Sequence, residues 1–180
     1  MEIFPTSLQG VMIIQPNVFE DQRGYFFESF NLNEFEKAGI NLEIKQVNQS
    51  LSGKNVLRGL HFQRPPWAQA KLVRVIRGAV FDVAVDIRKD SPTYGKWVSA
   101  VLTEQNKNML WIPEGFAHGF LTLADNTVFL YKCNQFYCKE AEETISWNDP
   151  DIGIEWNIDN PVLSPKDLNA ASFKNFTSPF

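Results

Sequence analysis

Apolar and polar side chains alternate along this chain in short bursts, each bounded by Gly, Pro, Asn or Asp. The bursts fall at 11–15 (VMIIQ), 25–30 (YFFESF), 43–48, 56–62 (VLRGLHF), 69–76 (QAKLVRVI), 79–87 (AVFDVAVDI), 97–103, 109–112, 116–123 and 127–133 (TVFLYKC). A period of two, or a short apolar run closed by turn residues, predicts β-strands. Only two segments carry helix signals: Asn31-Leu32-Asn33-Glu34 opens a helix that stops at Gly39, and Ser164-Pro165-Lys166-Asp167 opens another. Closely spaced strands without long intervening helices disfavour a parallel α/β sheet. They predict a mostly β fold, an antiparallel jelly-roll barrel with a few short helices. There is no internal repeat, low-complexity tract or linker, so residues 1–180 are expected to form one domain.

Composition fits this pattern. Aromatic residues make up 13% of the chain alongside ten Gly and ten Pro, which suits strands joined by tight turns. The 17 basic and 21 acidic residues give a formal charge of −4 with no block of like charge, so no nucleic-acid partner is expected. No stretch reaches the roughly 18 apolar residues of a membrane span, and the start, MEIFPTSLQG, lacks a signal-peptide pattern. A cytoplasmic protein without a membrane partner is the expectation. Cys133 and Cys138 are too few for a disulfide framework and match no zinc spacing, so reduced thiols are expected.

Histidine chemistry has two places to happen, His61 and His118. His61 interrupts an apolar run together with Arg58 and Gly59, and by position alone reads equally as a core histidine bonded to backbone or as a functional group. His118 shares its face with Phe116 and Phe120, where periodicity favours a buried structural histidine. Lys71 shares parity with Val73 and Val75. Either the strand begins after it and the ammonium reaches water, or it lines a polar pocket. Tyr131 has the parity of Phe129 and Cys133, so its ring points inward as core or as a functional hydroxyl. Asp167, three residues after Ser164, reads first as a capping carboxylate. Arg23, Glu28 and Arg58 read as ordinary strand charges. What separates this set from a plain core is that several polar groups share apolar strand positions.

Pro113-x-Gly115-x-x-His118 resembles the second motif of cupins, which are small jelly-roll barrels. The first cupin motif supplies H-x-H and a glutamate as metal ligands. Here His61 stands alone in that region, so no facial metal triad can be assembled and no metal or other cofactor is expected. More specifically, the chain resembles the dTDP-4-dehydrorhamnose 3,5-epimerases over nearly its whole length. The matching blocks include Val18-Phe19-x-Asp21-x-Arg23-Gly24, Asn55-Val56-Leu57-Arg58-Gly59-Leu60-His61-Phe62-Gln63, Lys71-Leu72-Val73-Arg74-Val75, Val80-Phe81-Asp82-Val83-Ala84-Val85-Asp86, Leu110-Trp111-Ile112-Pro113-x-Gly115-Phe116-Ala117-His118-Gly119-Phe120, Phe129-Leu130-Tyr131-Lys132, Trp147-Asn148-Asp149-Pro150 and Leu163-Ser164-x-Lys166-Asp167.

The resemblance implies a dTDP-sugar substrate. It implies His61 as catalytic base with Asp167 as its carboxylate partner, Tyr131 as general acid, Lys71 beside the substrate carbonyl and His118 within the sugar pocket. Arg23, Glu28, Gln46, Asn48, Arg58, Glu142 and Lys166 match nucleotide-sugar contacts, and Tyr137 matches the ring that stacks on thymine. Val47, Trp67 and Ala70 depart from the family pattern at positions expected near the nucleotide. The chemistry is coherent. Inverting carbons on both sides of a ketone needs a base on one face, an acid on the other and a partner for the enolate oxygen. Alternatives are an epimerase acting at one centre, a 3,4-ketoisomerase, a metal-dependent cupin dioxygenase and a non-catalytic carbohydrate-binding jelly roll. Strict alternation puts Arg58 and His61 on opposite faces, so a bulge near Gly59 is expected. The resemblance also implies a homodimer in which Arg23 and Glu28 reach the neighbouring site.

Overall fold

The computed structural model describes residues 1–180. Its elements in chain order are β1 (Glu2–Pro5), β2 (Met12–Gln15), β3 (Phe19–Asp21), β4 (Gly24–Phe26), α1 (Leu32–Lys37), β5 (Gln46–Ser52), β6 (Leu57–Gln63), β7 (Lys71–Arg77), β8 (Ala79–Asp86), β9 (Trp97–Thr103), β10 (Met109–Ile112), β11 (Phe116–Thr122), β12 (Thr127–Cys133), β13 (Glu142–Thr144) and α2 (Pro165–Leu168). Every strand pairing is antiparallel. One sheet runs β1-β2-β10-β7-β12-β5, a second β13-β6-β11-β8-β9, and β3-β4 is a separate hairpin. The fold is the expected jelly roll.

Alternation sorts the side chains into three apolar layers. Val73, Val75, Leu110, Phe129, Val80, Ala84, Phe116 and Phe120 meet between the two sheets. Leu57, Leu60, Val83, Val85, Ala117 and Leu121 face the other way, where the C-terminal segment brings Ile152, Trp156, Phe173 and Phe176. Behind the six-stranded sheet, Phe35 of α1 with Ile40 and Leu42 covers Ile14, Leu72, Met109 and Trp111. Both sheets are therefore covered, which explains why β7, β8 and β11 read as nearly continuous apolar runs.

Strands 97–103, 109–112 and 127–133 begin and end as the pattern predicts. Two expectations shift. The run 43–48 becomes β5 at Gln46–Ser52, because Leu42 and Ile44 are drawn into the layer under α1. The run 25–30 is strand only to Phe26. Beyond it the aromatics lie against cations: Arg74 over Phe27 at 4.7 Å and Lys132 over Phe30 at 4.9 Å.

The break in β6 is what builds the site. His118 pairs with His61 and Phe120 with Arg58, so β6 carries one residue more than β11 between these rungs. That bulge turns both Arg58 and His61 to the cavity side, while Leu57, Leu60 and Phe62 stay in the outer layer. Gly59 makes it possible. Its φ is +136°, and a Cβ there would stand 2.5 Å from Gly119 Cα and 2.9 Å from the His118 carbonyl.

Candidate functional site

Two adjoining cavities of about 300 and 220 Å³ open between the sheets and share His61, Lys71, Tyr131 and Glu142. The smaller also has Arg58, His118, Phe120, Ser50 and Lys166. The larger has Gln46, Asn48, Gln63, Gln69 and Tyr137. β5 contributes its polar face, Gln46, Asn48 and Ser50, in strict alternation.

His61 Nε2 lies 2.5 Å from Asp167 Oδ1. The other carboxylate oxygen accepts from Ser164 Oγ at 2.7 Å, and Ser164 in turn accepts from the Asp167 amide at 3.2 Å. Asp167 is thus both the cap-associated carboxylate of α2 and the partner of His61, one oxygen for each. Burial pushes the imidazole below its ordinary value, and the carboxylate only partly opposes this. At Asp167 burial pushes up, but the hydrogen bonds from His61 and Ser164 outweigh it and hold the carboxyl below its usual range. The pair is a neutral imidazole beside an ionised carboxylate. With the proton on Nε2, Nδ1 is the basic nitrogen.

β7 starts at Lys71 itself, and its ammonium is buried and lines both cavities, so the pocket reading of this residue holds. Burial pushes its pKa down, against the pull of Cys133, Asp82 and Glu142. Burial, with help from Cys133 and Glu142, pushes the Tyr131 hydroxyl up, so it stays protonated. His118 Nε2 is held by both oxygens of the fully buried Asp82, at 2.9 and 3.1 Å. Toward the larger cavity, Glu142 pairs with Lys166 at 2.7 Å and accepts from the Tyr137 hydroxyl at 3.0 Å. Arg58 donates to Ser52 Oγ at 3.1 Å.

The structure therefore brings together every expected site residue except two. Arg23 lies on the β3–β4 hairpin, its side chain 89% exposed and paired with Asp21. Glu28 accepts from Asn31 Nδ2 at 3.1 Å. Neither lines the cavities of its own chain. The three departures from the family pattern stand beside the larger cavity without lining it: Val47 lies between Gln46 and Asn48, Ala70 between Gln69 and Lys71, and the Trp67 carbonyl accepts from Gln63. Val47 points out from β5 opposite Lys132, Ala70 is buried in the layer under α1, and Trp67 is in the loop before β7. Asp82 and Gln63 carry no assignment from sequence. Asp82 had a signal, since it is a charge at the parity of Val80 and Ala84, the same mark that exposes Lys71. Gln63 bonds only main-chain groups, of the loop that follows it and of a distant one, and such bonds leave no pattern in sequence.

Comparison with known proteins bears on this arrangement. The family model described as dTDP-4-dehydrorhamnose 3,5-epimerase matches residues 5–175. The chain is 55% identical over 174 residues to a dTDP-4-dehydrorhamnose 3,5-epimerase of Shigella flexneri, covering 96% of each chain. It superposes with a TM-score of 0.94 and 45% identity on the dTDP-6-deoxy-D-glucose-3,5-epimerase of Legionella pneumophila in complex with dTDP-4-keto-L-rhamnose, over 98% of this chain and 94% of that one. A 3′-monoepimerase from Streptomyces bikiniensis in complex with dTDP-quinovose is similar at TM-score 0.89 and 34% identity, over 94% and 86%.

Proposed function

The chain belongs to the dTDP-4-dehydrorhamnose 3,5-epimerase family, an isomerase acting on C3 and C5 of dTDP-4-keto-6-deoxy-D-glucose to give dTDP-4-keto-L-rhamnose, and from that membership we propose how its residues carry the reaction. His61 Nδ1 removes the proton from C3 and from C5. Asp167 holds the tautomer and stabilises the imidazolium that forms. The electron pair of the broken C–H bond moves into the ring as an enolate, whose oxygen faces the Lys71 ammonium. Because that charge develops only as the bond breaks, Lys71 favours the transition state over the ground state. Tyr131 returns a proton to the opposite face, the enolate collapses to the inverted ketone, and exchange with solvent takes the proton from His61 and restores one to the Tyr131 phenolate before the second carbon reacts. The observation that carries this reading is the 2.5 Å His61–Asp167 pair in a cavity shared with Lys71 and Tyr131. Tyr131→Phe tests the division of labour: proton loss persists while double inversion fails. Unchanged conversion to the doubly inverted product would remove Tyr131 from the mechanism.

The diphosphate falls to Arg58 and Lys166, and to Arg23 of a second copy. A homodimer is supported by β5, an edge strand whose alternation is inverted: its polar face lines the cavities, and Val47 and Leu51, 54% and 64% exposed, point outward. Phe19 and Phe26 expose a further apolar surface on the hairpin that carries Arg23. Residues 1–180 act as one domain. No helix is long and apolar enough to cross a membrane, and free Cys133 and Cys138 support a cytoplasmic placement.

A further inference from the structure

Gln63 ends β6 and is 4% exposed, yet neither proton transfer nor substrate contact falls to it. Its amide is fully engaged with main chain. Oε1 accepts from the Cys138 amide at 2.8 Å, while Nε2 donates to the Trp67 carbonyl at 2.7 Å and the Phe136 carbonyl at 3.1 Å. Both N–H bonds are used, so no donor remains for a ligand. Two of these partners flank a single residue, Tyr137. The Tyr137 amide itself donates to Gln46 Oε1 at 2.8 Å, so the chain is tied at three successive residues. At the far end of the side chain, the Tyr137 hydroxyl donates to Glu142, which is the cross-strand partner of Gln63. One rung of the β6–β13 ladder thus holds both ends of a ring that is itself 52% exposed.

We infer that Gln63 is a positioning residue for nucleotide binding: by fixing the main chain on both sides of Tyr137, it presents a preset stacking face to the base. The inference rests on the reading of Tyr137 as the ring that stacks on thymine. A half-exposed tyrosine on a loose loop loses backbone and rotamer freedom when it stacks, and that loss subtracts from affinity. Here folding has already ordered it. An amide suits the position and a carboxylate does not, because two carbonyls need donors and one N–H needs an acceptor.

Gln63→Met keeps the volume and removes all three bonds. Calorimetry is expected to show dTDP binding about tenfold weaker, within the range that loss of one stacked base spans. KM for the sugar nucleotide rises correspondingly, with kcat changed far less. Amide exchange accelerates across 134–138 and not in β11, and combination with Tyr137→Ala brings no further loss, since both act through one ring. Pyrophosphate, which has no base, binds wild type and variant alike. If Tyr137→Ala leaves dTDP affinity intact, the stacking reading falls and the inference with it. If Tyr137→Ala weakens dTDP but Gln63→Met does not, if the two losses add, or if pyrophosphate is weakened equally, stacking stands and the role of Gln63 is refuted. Gln63→Glu keeps the acceptor for Cys138 and loses both donors. It carries the same expectation should the apolar variant fail to fold.

Discussion

Two opposed influences meet at His61. Burial disfavours the imidazolium, Asp167 favours it, and burial is the larger, so the folded pKa lies below the ordinary 6.5. The acid limb of kcat/KM therefore falls below 6.5, and a limb above that value would show that another group is the base. Stability follows the same sign. Between the depressed folded value and 6.5 the unfolded chain binds more protons, so stability is complete above 6.5 and is lost as pH falls through the folded value. Asp167, also lowered, adds loss in the same direction below 3.8. Melting temperatures measured downward from neutral pH check this, and a melting temperature that rises on acidification contradicts it. Asp167→Asn removes the influence that holds the imidazole up. Its acid limb moves lower still, and kcat falls by about 10³- to 10⁴-fold, the scale for losing a carboxylate that orients a catalytic imidazole. Lys71→Met costs about 10²- to 10³-fold in kcat, the scale for one oxyanion donor, with fold and nucleotide affinity retained. At this scale the sequence is most informative where a polar group shares the parity of a strand's apolar face. That mark shows Lys71 and Tyr131, and Asp82 carries it too. It is silent on which buried partner each group finds, because Asp167 meets His61 and Asp82 meets His118 across long stretches of chain.

β6 is the element on which the site depends, and its extra residue at Gly59 lets Arg58 and His61 face one cavity. The bulge follows from sequence as soon as one ligand is assigned to both side chains, since a regular strand turns them apart. Gly59→Ala forces a Cβ into Gly119 and the His118 carbonyl at a positive φ, and strain of this kind is worth about 1–3 kcal/mol or more. A melting temperature lowered by roughly 5–10 °C is expected, together with loss of activity as His61 is re-aimed. An unchanged melting temperature would mean that β6 tolerates a regular strand. The long central strands were legible from alternation because both sheets are covered. β1, β3 and β13 were not, since none of their residues is buried and they carry no apolar run to register, unlike the equally short but fully buried β10. β5 shifted for a related reason: its apolar residues face out and its polar ones in, the reverse of what a half-buried strand leads one to expect.

As a whole, the molecule gathers three of its buried charges, Lys71, Asp82 and Asp167, in one polar region between apolar layers, while Asp86, Lys107 and Asp149 are held by partners of their own elsewhere. The residue pattern implies the jelly roll, and the structure reproduces it, but a lone chain leaves Arg23 and Glu28 away from the cavities. Sedimentation is expected to show a dimer with an interface above roughly 1,000 Å². Mixing inactive Arg23→Ala and His61→Ala chains is expected to restore up to about a quarter of wild-type activity, because each mixed pair rebuilds one of its two sites. Subunit exchange without recovery would mean that each site is built from one chain. The central claim is narrower: one base, His61, serves both C3 and C5. NMR of dTDP-4-keto-6-deoxyglucose incubated in D₂O tests it most directly. The account predicts deuterium at both carbons with the wild-type protein and at neither with His61→Ala, while that variant still binds dTDP. Exchange surviving near the wild-type rate at either carbon in His61→Ala would contradict it.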